Sequence, residues 1–246
     1  MSALPPPPLP PPPPPNGVPP TVTYLKAPVG RIARRMQIFL VGIMGLSVMS
    51  IPVTLETARR AHSFITGTDA NAEERFLAAT RTQGLLTTIS GSLTLTVGVL
   101  TMIWMFRLAR NHESIGRLGA TWSAGWAIAG WFCPPMLTVI PWLMLRELWK
   151  GSDPTIAPFD TTWKQAKVGP ITTVWWVVYA VPPIVGLILT VRKFRFGLTP
   201  LDTARLNDVP AAQTVILGVL HLAAAAAFLV LIHQLTDRHR RLIGEE

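Results

Sequence analysis

The sequence predicts an all-α fold. It reads as a polytopic membrane helical bundle with four crossing helices, a proline-broken re-entrant pair and a disordered N-terminal tail. Three observations carry this. Five apolar runs, 36–55, 85–106, 124–145, 171–191 and 211–232, contain no Asp, Glu, Lys or Arg, and each reaches the roughly 20 residues a helix needs to cross hydrocarbon. Only 14% of the residues are charged and the mean hydropathy is +0.38, against roughly 25% charged in soluble domains. The run 124–145 carries Pro134, Pro135 and Pro141 near its middle. The alternative architecture is five crossing helices, the third of them kinked. In either case helices rather than open strands must span, because lipid offers nothing to an unpaired backbone group.

Residues 1–30 form a tail distinct from the membrane domain at 31–246. Twelve of the first twenty residues are Pro. Proline fixes φ and lacks an N–H, so the tail favours polyproline II and cannot build a core. The motif LPPPP occurs at Leu4–Pro8 and again at Leu9–Pro13. Residues 4–15 are thus a candidate ligand for a cytoplasmic proline-binding partner, with a stiff solvated spacer as the plainer alternative. Lys26, Arg31, Arg34 and Arg35 precede the first run, which the positive-inside rule keeps cytoplasmic. The first run is too long for a secretory signal and is expected to stay as an anchor.

Residues 56–84 read as a mixed-charge loop. Within it, Asn71–Arg81 reads as a short surface helix, with Asn71 as N-cap and Glu73 and Glu74 in its first turn. The second run is rich in Thr, Ser and Gly, residues that permit close helix contact and whose hydroxyls return to backbone carbonyls. Beyond it, Arg107, Arg110, Ser114 and Arg117 recur at helical spacing and are expected on one face, solvated or turned to phosphate headgroups.

The third run decides the topology. A proline within a helix costs about 3 kcal/mol and leaves a carbonyl unpaired, which lipid cannot repair. Two short pieces are expected, one over 125–132 and one from Pro135 to Trp149, with Pro141 disturbing the Leu137 carbonyl. The 22 Lys and Arg residues arbitrate. Five crossings divide them eleven and eleven, whereas a dip and return places fourteen on the side of the termini and eight opposite. The positive-inside rule prefers the second arrangement, in the inner cell membrane with both termini cytoplasmic. All nine Trp lie between Trp104 and Trp176, and their preference for the bilayer boundary predicts much interfacial structure there.

Catalytic chemistry is sparse. The net charge of +9 comes from short clusters beside apolar runs, which fits anionic lipid rather than nucleic acid. The single Cys133 excludes an intramolecular disulfide and a multi-thiolate metal site. No HExxH, Walker A, GxSxG or CxxC is present. His221 is the one ionisable residue well inside a run; a hydrogen bond between helices is its expected role, with ligand binding or proton transfer as the functional alternative. His233 is expected at the interface near Arg238. Asn111–Ser114, NHES, places four polar groups on a helix pointing different ways, and they are not expected to converge. No catalytic residue, cofactor or metal is assigned, and the expectation is a protein that is not an enzyme. Asn111, Arg146 and Glu147 lie at the ends of the second run and the broken pair. Asn111 and Glu147 are expected to tie the pair to the second helix beside Trp104, Trp126, Trp131 and Trp149, or to border a headgroup or small-ligand pocket.

These residues also carry a resemblance. Trp104, Asn111, Gly125–Trp126, WFCP at Trp131–Pro134, Pro141, ELW at Glu147–Trp149, Ser152 and Trp175–Trp176 resemble the bacterial membrane-protein family known as domain of unknown function 4328, typical of actinobacteria. The resemblance covers about Ile38 to Arg240 and is densest from Trp104 to Trp176. It implies a proline-rich N-terminus followed by several membrane helices, with Trp104, Asn111, Trp126, Trp131, Phe132, Pro134, Pro141, Glu147, Trp149, Trp175 and Trp176 as signature or structural residues. It implies little chemistry. One departure is visible: the family has Asn followed by Leu where this chain has Leu137 and Thr138. Three functions stay open. The first is a non-enzymatic scaffold or accessory protein. The second is a small-molecule or lipid transporter or binder at 125–149. The third is a membrane enzyme.

Overall fold

The structure, a computed structural model, describes residues 27–133, 139–191 and 199–245, with 181–191 described by backbone alone. The tail expected to be disordered, up to residue 26, and its LPPPP motifs lie outside the described residues, as do Pro134, Pro135, Leu137 and Thr138. The described elements are helical throughout: α1 (Gly30–Thr66), α2 (Ala72–Ser114), α3 (Trp126–Ala129), α4 (Val139–Gly151), a 3₁₀ helix (Thr161–Gln165), α5 (Pro170–Val191), α6 (Pro200–Asn207) and α7 (Ala211–Ile243). Among the described residues α1, α2 and α7 are long and apolar enough to cross a membrane, and α5 has 22 residues without Asp, Glu, Lys or Arg.

The first and last described residues meet. Both carboxylate oxygens of Glu245 accept from the first orphan amides of α1, Val29 at 3.1 Å and Gly30 at 3.0 Å. A carboxylate is favoured there because those N–H groups have no helical partner and carry partial positive charge. We call this the proximal end. From it α1 runs away for 37 residues, about 55 Å at 1.5 Å per residue, so it overshoots the roughly 30 Å hydrocarbon layer. Gly67, in the left-handed region at φ 63°, closes α1 at the distal end. There Ala61, Phe76 and Ala204 pack α1, α2 and α6 into a small second core, and Phe64 stacks on Phe76 at 5.9 Å.

The surface helix expected at 71–81 is instead the start of α2, which continues unbroken to Ser114. No residue between them forces a break. Asn71 occupies the N-cap position without a side-chain cap bond, while Glu73 and Glu74 stand in the first turn as expected. The hydroxyls of α2 do fold back: Thr88 donates to the Gly84 carbonyl, Ser92 to Thr88 and Thr96 to Ser92, each at 2.9 Å. This lets a polar stretch face outward with its donors satisfied. Ile38, Leu85, Leu95 and Ile216 are exposed on the outside of the bundle, an arrangement suited to lipid and costly in water.

The third apolar run is broken. α3 has four residues; Trp131 N–H then donates to the Ile128 carbonyl and Phe132 N–H to that of Ala129, a tightened last turn. The return limb is described from Val139, with Pro141 buried within α4; the expected start at Pro135 lies outside the described residues. The two limbs approach at Gly130, where a Cβ would lie 2.6 Å from Ile140 Cγ2. Both limbs belong to the proximal end: Glu147 accepts from the amides of Thr121 and Trp122, and Gly151 lies against His112 near the end of α2. Segment 121–151 therefore enters and leaves at one end, with Trp131 reaching inward to the level of Leu40, Thr101 and Phe228. α5 then departs from the proximal end, where Gly169 packs on Trp149, and α7 returns. Trp104, Trp149, Trp163 and Trp175 are buried within the protein.

Candidate functional site

A chain of buried polar side chains locks the proximal end. Asn111 Oδ1 accepts from the Ala27 amide at 2.9 Å, so its amide nitrogen is the donor. Asn111 Nδ2 donates to the Ala27 carbonyl at 3.0 Å and to His239 Nε2 at 3.0 Å. With Nε2 accepting, His239 carries its proton on Nδ1 and donates to Ser152 Oγ at 3.2 Å. Ser152 Oγ also shares a hydrogen bond with His112 Nε2 at 3.0 Å. The Asn111 amide thus fixes the tautomer of His239, and Ser152 Oγ joins the two rings. Asn111, His112, Ser152 and His239 are all buried. Above them Trp104 Nε1 donates to Thr236 Oγ1 at 3.2 Å.

Gly151 makes the lock possible, since a Cβ there would stand 2.7 Å from the His112 ring. Below, Arg117 binds four carbonyls of the following loop: Gly151 at 3.2 Å, Asp153 at 3.3 Å, Ile156 at 2.7 Å and Ala157 at 2.8 Å. Burial pushes its guanidinium below the usual range, opposed by Asp160 and Asp153. Arg238 reaches Asp153 at 3.0 Å and covers the Trp149 ring at 5.0 Å.

Several sequence expectations change here. Asn111 and His112 do converge, because α7 and α4 pack on adjacent sides of α2 and His239 and Ser152 bridge them. Glu113 turns outward to Arg110 as expected of a solvated face. Arg117 leaves the proposed basic face, since α2 ends at Ser114; Arg107 binds the Pro28 carbonyl at 2.9 Å. Asn111 ties α2 to the root of the tail and to α7, while His112 and Ser152 join α2 to the broken pair. Glu147 closes the pair on itself. His233 faces Asp237 at 3.4 Å. Trp126 and Phe132 are exposed, and Trp176 stacks on Trp142 at 4.7 Å. The lock holds no room for a substrate: the void beside His112, Arg117 and Trp163 is about 20 Å³.

Open space lies deeper, between the long helices. One lobe of about 410 Å³ is walled by Leu40, Val97, Trp131, Trp175 and Phe228. Trp175 stacks on Tyr179 and on Phe228, each at 5.0 Å. A second lobe of about 550 Å³ between α1, α2 and α7 is walled by Ser47, Ser50, Thr54, Gln83, Thr87 and Ser90. Thr94 and His221 border both lobes. Neither lobe is lined by Asp, Glu, Lys or Arg. His221, expected to bond a neighbouring helix, is exposed on the groove side of α7 and has no hydrogen-bond partner among the described residues. Trp131 and Trp175, singled out in the sequence, meet in the apolar lobe. The hydroxyl lobe was not legible, because its walls come from runs that read as packing surfaces.

A family model described as Domain of unknown function (DUF4328) matches residues 67–237. The chain belongs to this family. The match leaves out α1, which the resemblance to domain of unknown function 4328 was expected to include from Ile38, and stops two residues before His239. It takes in the broken pair and the lock residues Asn111, His112 and Ser152. No curated protein and no solved structure matches the chain.

Proposed function

We propose that this chain is an integral membrane protein that holds an uncharged, lipid-like molecule in the lateral groove between α1, α2, α5 and α7. The observation that carries the reading is the pair of lobes meeting at Thr94 and His221, one apolar and one hydroxyl-lined, without a formal charge in either wall. A charged occupant would sit at membrane depth without a counter-ion, which is costly. A neutral amphiphile satisfies both lobes: its chain against Trp131 and Phe228, its polar head among Ser50, Thr54 and Ser90. In this reading α1, α2, α5 and α7 cross, and 121–151 dips in from the proximal side to close the apolar lobe with Trp131. Fourteen of 22 Lys and Arg residues then lie proximally, which supports a cytoplasmic proximal end in the inner membrane. The role is binding or transport rather than catalysis.

The test is the lipid that co-purifies. Gly98 borders the apolar lobe, and a Cβ there meets nothing within 4 Å. Gly98→Leu places an apolar side chain at the border of the lobe and is expected to reduce a neutral lipid seen by mass spectrometry in the full-length protein. Gly84→Leu, equally open but outside both lobes, should retain it. Equal lipid content in both variants would refute the reading.

A second reading, a scaffold whose proline-rich tail docks a cytoplasmic partner, draws support from the grip on the tail's root. Asn111 holds Ala27, Arg107 holds Pro28, and Glu245 holds Val29 and Gly30. An arm leaving from a fixed point suits presentation of residues 4–15. Deleting residues 1–24 should then abolish partner recovery while leaving the groove lipid in place.

A further inference from the structure

We propose that Arg146, Lys150 and Lys164 form an anion pocket at the proximal surface that takes the phosphate of an anionic phospholipid headgroup. The pocket is distinct from the groove and does not depend on it. Its volume is about 360 Å³, and it is bordered by these three cations together with Trp122, Glu147 and Trp163.

Arg146 and Lys150 are one turn apart on α4 and share a face. Lys164 comes from the 3₁₀ helix, held opposite by Lys150 Nζ donating to the Lys164 carbonyl at 2.8 Å. None of the three forms an ion pair among the described residues. The one carboxylate in the wall, Glu147, has both oxygens engaged by the Thr121 and Trp122 amides and forms no ion pair with the three cations among the described residues, so the wall keeps a net positive charge of two. Two cations are instead set over aromatic rings, Arg146 at 4.8 Å from Trp142 and Lys164 at 5.9 Å from Trp163. Trp163 itself is buried and forms part of the same wall. Converging cations with N–H groups to spare, beside aromatic rings, match a phosphate whose acyl chains continue into the bilayer. Trp142 and its stacking partner Trp176 supply the apolar flank.

The test uses full-length protein in a neutral detergent, titrated with short-chain phosphatidylglycerol or phosphatidylcholine and followed by tryptophan fluorescence. Phosphatidylglycerol should bind at concentrations where phosphatidylcholine does not. Arg146→Ala and Lys164→Ala should each weaken it about five-fold, the attraction of one basic side chain for an anionic lipid surface. Arg59→Ala removes the same charge at the distal end and should leave binding unchanged. Lys164 is exposed, so its variant keeps the test valid if Arg146→Ala misfolds. Equal binding of the two lipids, or equal weakening by Arg59→Ala, would overturn the pocket. Inorganic phosphate should fail to displace phosphatidylglycerol. Displacement at comparable concentration would overturn the headgroup as ligand and assign the same cations to soluble phosphate.

Discussion

Replacing Ser152 by Ala isolates the lock at the proximal end. The change removes one oxygen and little volume. It removes one hydrogen bond of His239 Nδ1 and one of His112 Nε2, since both run through Ser152 Oγ. Each buried hydrogen bond lost at such a group costs about 1–3 kcal/mol, so the variant should lose about 2–6 kcal/mol. For a chain of this size that corresponds to about 4–24 °C in Tm. The assay is thermal unfolding of the full-length protein in detergent. Ser114→Ala is the control: its hydroxyl serves only the Asn111 carbonyl within its own helix at 2.7 Å. The two imidazoles stand 5.2 Å apart, ring to ring, and direct pairing would require α2 and α7 to close by the width of the lost hydroxyl. If Ser152→Ala lowers Tm no more than Ser114→Ala, the polar chain is not what holds these helices.

Three further outcomes follow from the same contacts. Glu245→Gln should speed amide hydrogen exchange at Val29 and Gly30 and cost about 0.5–2 kcal/mol, as for a lost N-terminal cap. Gly151→Ala drives a methyl group into the His112 ring at 2.7 Å and should lower Tm by the about 1–3 kcal/mol typical of overpacking. Asp153 is raised by burial, but the Thr155 hydroxyl and amide and the Arg238 guanidinium outweigh this and hold its carboxyl below the usual range. A depressed carboxylate stabilises the fold above its unfolded pKa of about 3.9 and loses that contribution as pH falls through the lower folded value. Tm should therefore decline below about pH 4, more shallowly in Asp153→Asn, which can be read in parallel melts.

The long helices were legible because their apolar runs exceed any soluble core helix. Their ends were not. Nothing in the sequence between Leu55 and Thr66, or between Asn71 and Leu85, interrupts a helix, and the charges there decide exposure rather than backbone. The break in 124–145 is visible from its prolines, and its return to the same end from the Lys and Arg balance of the flanking segments; the Leu137 carbonyl that Pro141 was expected to disturb lies outside the described residues. Asn111 could be suspected as a tie. Its partners, Ala27 and His239, lie 84 and 128 residues away, a separation over which one sequence carries no signal. Ser152 and His239 entered the same network only because α4 and α7 meet there, and Gly151, which permits the contact, reads locally as a helix end. The groove was hidden for a related reason: Thr54, Ser90 and His221 belong to three different helices, each of which reads by itself as an ordinary packing surface.

The proposed groove and dip require that both ends of the chain be on one side of the membrane. Reporters active in a single compartment, fused at Met1 in one protein and at Glu246 in another, measure this directly. Signals from the same compartment, the cytoplasm, are the expected result. Signals from opposite sides would make 124–145 a kinked crossing and contradict the account.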